Sequence, residues 1–99
     1  YNVGPDDKDC ISTGELADLF VKHWGNDLKW VNRYDGGPHE ANFLKLDCSK
    51  IKNVFGWNPV WSIEKAVSEV VEWSMAYMNH QDVKEIMDKQ IEEYCLEKR

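Results

Sequence analysis

The stretch GGPHEANFLKLDCSKIKNVFGWNP, which ends at Pro59, constrains the chain more than any other. Within two dozen residues it sets a Gly-Gly-Pro turn, the pair His39-Glu40, a short apolar run and a short helical segment. It closes on Gly56-Trp57-Asn58-Pro59. Gly tolerates the left-handed backbone that ends a helix, and Pro cannot continue one. The helix therefore has to be brief, with Asp47 or Ser49 as its cap. Phe43-Leu44-Lys45-Leu46 reads as a strand.

The flanking residues follow ordinary rules. Tyr1–Val3 reads as the end of a strand, broken by Gly4-Pro5-Asp6-Asp7. Ser12 and Glu15 have capping-box spacing, and Leu16, Leu19, Phe20 and Trp24 recur at helical intervals up to Gly25-Asn26. Leu28, Trp30 and Asn32 alternate with Lys29, Val31 and Arg33, the pattern of an edge strand. Ser62 caps a third helix whose inward stripe is read as Ile63, Ala66, Val67, Val70, Val71, Ser74, Tyr77 and Met78. After the polar break Asn79-His80-Gln81, Asp82 caps a last helix. The expected fold class is α+β: three longer helices and one short one around two or three short strands. At 99 residues this is one small domain, 1–99.

Charge and composition exclude several functions. The formal net charge is −6, a sign that repels phosphate backbones, so no nucleic-acid partner is expected. No apolar run approaches a membrane span and no signal peptide is visible, so a cytoplasmic location and no membrane partner are expected. Cys10, Cys48 and Cys95 are odd in number and widely spaced, which argues for free thiols rather than disulfides or zinc. His23, His39 and His80 show no metal-binding spacing. No Gly-rich phosphate loop, Tyr-x-x-x-Lys pair or nucleophile elbow is present, so no catalytic residue, cofactor site or metal site is expected in this chain. The first residue is not Met, and YNVGP reads like a strand entering a loop, so a longer parent protein is expected.

Two polar features could face a ligand. Asn2 sits at a strand end, where its amide can contact a ligand or simply bond its own turn. His39-Glu40 follows Gly-Gly-Pro, where backbone can approach a ligand closely. A His can donate to phosphate or ribose while a carboxylate accepts from a sugar, or the pair can be an exposed turn. Lys45 and Asp47 are open in the same way, with helix capping favoured for Asp47.

The residues Leu44, Asp47, Ser49, Lys50, Gly56, Trp57 and Pro59 spell L-x-x-D-x-S-K-x-x-x-x-x-G-W-x-P. With YNVGP before it and the Trp-bearing helix EKAVSEVVEW after it, the chain resembles the C-terminal part of extended short-chain dehydrogenases acting on nucleotide sugars. PHEANFLKLDCSK, with DDKDC after YNVGP, resembles the CDP-glucose 4,6-dehydratases most. The resemblance implies a parent lyase whose N-terminal Rossmann domain, absent here, binds NAD and converts CDP-glucose to CDP-4-keto-6-deoxyglucose by oxidation, water elimination and reduction. That sugar feeds bacterial lipopolysaccharide biosynthesis. It implies that this chain is the substrate-binding lobe, with CDP-glucose and its own Rossmann domain as partners, in a homodimer or homotetramer. Asn2 then corresponds to a substrate-contacting Asn and His39, with Glu40, to a nucleotide-contacting turn. Gly36 stands where relatives carry Arg, which leaves one phosphate or base contact to come from elsewhere. The fragment alone is expected to be inactive. The other readings are the same lobe from another nucleotide-sugar dehydratase or epimerase, and a small acidic protein-interaction module that binds no nucleotide.

Overall fold

In the computed structural model, residues 1–33 and 45–97 are described. They form a single 3-10 turn, Asp7–Asp9, and four helices: α1 (Thr13–Trp24), α2 (Ser49–Phe55), α3 (Ile63–Met78) and α4 (Val83–Glu97). The helix boundaries follow the sequence signals closely. Ser12 and Glu15 close a full capping box at the start of α1, at 3.1 and 3.2 Å. The Ser62 hydroxyl accepts from the Lys65 amide at 3.1 Å, and Asp82 Oδ1 accepts from the Lys84 amide at 3.0 Å. Gly25 and Gly56 end α1 and α2 with φ of 71° and 62°, where a side chain would be strained.

α3 is the centre of the packing. α1 lies against one side of it and α4 against the other. Val67, Val71 and Ala76 on α3 are buried, with Cys48 from the segment before α2. The Lys22 ammonium reaches Glu64 from α1 at 3.0 Å. Gln90 Nε2 donates to the Glu69 carbonyl at 2.7 Å from α4, and Trp61 meets Tyr94 edge-on.

The expected α+β class is corrected. Among the described residues there is no strand and no sheet. The segment 28–33 shows why. Gly25, Asn26 and Asp27 take positive φ, which small or Asx residues tolerate, and reverse the chain onto α1. Leu28 and Trp30 then line an open apolar groove with Leu16 and Phe20 of α1 and stay exposed, and Trp30 Nε1 donates to Asp18 Oδ1 at 2.9 Å. The apolar side of the alternation turns toward a helix rather than a sheet, and a strand without a neighbouring strand has no ladder to join. Residues 1–3 and 45–46 are likewise not strands, while Phe43 and Leu44 lie outside the described residues.

The stripe on α3 is also corrected. Val70, Tyr77 and Met78 are exposed, whereas Glu69, which is not on that stripe, is buried with Lys65 at 2.9 Å from its carboxylate. A helix flanked by two others buries two sides, and neither need centre on the stripe that periodicity picks.

The body is thin, with extents of 42 × 38 × 18 Å. Its radius of gyration is 16.1 Å, against about 13 Å for a compact domain of this length. It exposes 8130 Å², where a compact monomer of this size exposes about 5,800 Å². No large side chain among the described residues is completely buried.

Candidate functional site

The two segments that carry the sequence pattern, 1–10 and 45–55, are drawn together although they lie more than 30 residues apart. Asn2 Nδ2 donates to the Asp47 carbonyl at 3.3 Å. Gly4 passes so close that a Cβ there would lie 3.4 Å from Cys48 Sγ and 3.6 Å from Leu46. Lys52, on α2, bonds Asp6 at 2.8 Å, with both side chains about one third exposed. Lys45 approaches Asp7 at 3.9 Å, a long and solvated pairing that carries little energy.

Asp47 organises the entry to α2. Its Oδ1 accepts from both the backbone N–H and the hydroxyl of Ser49. The Ser49 hydroxyl, then the Ser49 amide, hold the Asp47 carboxyl below the usual carboxylate range against a small desolvation cost, with Lys52 assisting. The hydrogen bond to Asp6 raises the Lys52 ammonium above the ordinary lysine range, so it stays charged.

These groups line a cleft of about 550 Å³, bounded by Asp6, Asp7, Lys45, Asp47, Ser49 and Lys52. Its chemistry is mixed. Carboxylates accept from hydroxyls and ammoniums donate to them, which suits a sugar. Three carboxylates against two ammoniums leave it slightly negative, so a diphosphate would need cations from outside this cleft.

Of the residues expected to bind substrate, Asn2 is exposed and does not line this cleft, to which it is tied only through the Asp47 carbonyl. Its amide engages backbone 45 residues away rather than its own turn. His39 and Glu40 lie outside the described residues. Asp6, Asp7 and Lys52 were not singled out as site residues. The adjacent carboxylates of Asp6-Asp7 were visible, but nothing in the sequence places Lys52 opposite them. The N-cap of α2 is Cys48, with no side-chain cap bond, so the expected cap at Asp47 or Ser49 is corrected by one position; Asp47 holds the Ser49 amide from just outside the helix. Among the described residues no group of His, Cys, Asp or Glu could hold a metal, and no helix is long and apolar enough to cross a membrane. Cys10, Cys48 and Cys95 are free thiols.

Trp57, in the Gly-Trp-x-Pro turn after α2, is half-buried. With Phe55, Val60 and Tyr94 it walls an apolar cavity of about 380 Å³ between the α2–α3 connection and α4.

No protein-family model matches the chain. Over 94 residues, 95% of its length, it is 34% identical to the CDP-glucose 4,6-dehydratase of Salmonella typhimurium. The chain is similar to a nucleotide-sugar dehydratase. The resemblance read from YNVGP, LKLDCSK and FGWNP is thereby borne out. The chain spans only about a quarter (26%) of that dehydratase's length.

Proposed function

We propose that the chain is the nucleotide-sugar-binding lobe of a CDP-glucose 4,6-dehydratase. The observation that carries this reading is the 34% identity extending over 95% of the chain. An isolated motif match would not extend so far. The cleft between residues 5–7 and 45–52 supports it, because it offers both donors and acceptors to hydroxyl groups. Asn2, bonded to the Asp47 carbonyl, and the pair His39-Glu40 are the substrate contacts of this reading.

In the parent enzyme, CDP-glucose would be converted to CDP-4-keto-6-deoxyglucose with NAD. The residues here do not fit NAD. The chain has no Gly-rich strand-to-helix turn, and Lys52 in the cleft is committed to Asp6. Cofactor chemistry therefore belongs to residues outside this chain, and residues 1–99 alone are inactive. The parent is a cytoplasmic homodimer or homotetramer of nucleotide-sugar metabolism, with a Rossmann domain as this lobe's intramolecular partner. Its contribution from this chain is to bind and orient the sugar nucleotide.

An NMR chemical-shift titration of the isolated chain tests the reading, with CDP-glucose as ligand and UDP-glucose and dTDP-glucose as controls. The expected result is a set of shifts confined to Asn2, the 45–52 cleft and residues 35–40, strongest with CDP-glucose. Equal shifts with all three would remove the assignment of the base. No shift with any of them, even after the missing domain is added in trans, would remove the substrate-lobe reading.

A further inference from the structure

The exposed side chain of Asn2 is engaged on one side only. Its Nδ2 donates to the Asp47 carbonyl at 3.3 Å, across 45 residues of sequence. That bond decides which way the amide faces. Turned over, the amide would set Oδ1 against the carbonyl oxygen, two acceptors with no hydrogen between them. Oδ1 is therefore held on the side away from Asp47, where it has no partner among the described residues. The Asp47 carbonyl is itself fixed. Asp47 Oδ1 accepts from the Ser49 backbone N–H at 3.0 Å and from the Ser49 hydroxyl. A carboxylate bonded to the amide two residues on closes a ring around its own peptide unit, which restrains the direction of the carbonyl. Close packing keeps the two segments in place: a Cβ at Gly4 would lie 3.4 Å from Cys48 Sγ and 3.6 Å from Leu46.

We propose that Asp47 is the positioning residue for Asn2, and that its clamp on Ser49 makes Asn2 present Oδ1, an acceptor, to a hydroxyl of the bound sugar nucleotide. The inference rests on the proposed function for Asn2 as a substrate contact, while the clamp stands on the distances alone. It gives Asp47 and Ser49 a part in binding that needs no contact with the ligand. It also separates the hydroxyls of the ligand from its phosphates. A hydroxyl donates to Oδ1, whereas an ionised phosphate offers only acceptors and gains nothing from it.

The test is a double-mutant cycle on the isotope-labelled chain, read by NMR with CDP-glucose and without it. Asp47→Ala removes the clamp and leaves the carbonyl. Ser49→Ala removes only the hydroxyl bond, Ser49→Thr keeps it, and Asn2→Ala removes the group being positioned. Without ligand, the Asn2 side-chain amide signals should move toward those of a free asparagine in Asp47→Ala, move less in Ser49→Ala and stay in place in Ser49→Thr. Helix content by circular dichroism should be unchanged in all of them. With CDP-glucose, Asp47→Ala should weaken binding about threefold to tenfold, but by less than about twofold in the Asn2→Ala background. A merely structural role for Asp47 would give equal losses in both backgrounds, and that result would overturn the proposal. Asn2 signals that stay in place in both Asp47→Ala and Ser49→Ala would overturn it too. Binding unchanged by Asn2→Ala would overturn it and leave the substrate-lobe reading intact. No binding of CDP-glucose to the unsubstituted chain, even with the missing domain added in trans, would remove that reading alone if the Asn2 signals move as expected.

Discussion

Replacing Asp9 by alanine should cost this small domain a large part of its stability. Asp9 is one of the few buried polar side chains, and its Oδ1 accepts from the Ile63 backbone N–H at 2.9 Å. Ile63 is the first residue of α3, whose opening amides have no partner within the helix. The carboxylate thus fixes the 3-10 turn to the start of the central helix across 54 residues of sequence. A hydrogen bond to a charged group contributes about 1.5–3 kcal/mol, and part of that is the cost of orphaning a buried amide. A carboxylate at a helix N-terminus adds about 0.3–1 kcal/mol through the dipole. Asp9→Ala is expected to lose about 2–3 kcal/mol. Asp9→Asn keeps an acceptor and loses the charge, so about 1 kcal/mol should go. Urea unfolding followed by circular dichroism reads both, with an unchanged slope as the sign of a native-state effect. An Asp9→Ala loss below about 0.5 kcal/mol would refute the reasoning, since that is the range of an ordinary surface substitution.

Three further outcomes are expected. Val71→Ala, at a position only 3% exposed in the middle of α3, should cost about 2 kcal/mol in the same assay. Ser49→Ala removes the group that chiefly depresses the Asp47 carboxyl. A depressed carboxyl adds stability that is complete above its unfolded range and is lost as pH falls through the folded value. An NMR pH titration should therefore show Asp47 rising toward the normal carboxylate range, and the acid limb of stability should flatten. Asp6→Asn should cost under about 1 kcal/mol, because the Asp6–Lys52 pair is partly solvated, yet amide exchange over residues 6–10 should quicken.

The helices were legible because their start and stop signals are local. Ser12 with Glu15, Ser62, Asp82, Gly25 and Gly56 each act within one turn of chain, and each does what its residue type dictates. The strand at 28–33 was misread because alternation reports which side of a segment is apolar and says nothing of what covers it. Here the apolar side faces α1 across an open groove with Leu16 and Phe20, held by the Trp30–Asp18 bond, and the segment stays exposed. The burial of Glu69, off the apolar stripe, has a related reason: it depends on where α4 lies. The candidate cleft was half legible. Asn2 and Asp47 were singled out, but the Lys52–Asp6 contact spans 46 residues and leaves no local trace.

The placing of α3 between α1 and α4 bears on the order in which the chain assembles. α3 and α4 are joined by the short connection 79–82, so their pairing closes a small loop. α1 must be brought to α3 across the whole of residues 25–62, at a larger entropic cost. The helical hairpin α3–α4 should therefore form early and exchange its amides last, with α1 adding to a surface that already exists. Val71→Ala, within the hairpin, should then slow refolding. Disruption of the Lys22–Glu64 contact should mainly quicken the loss of α1.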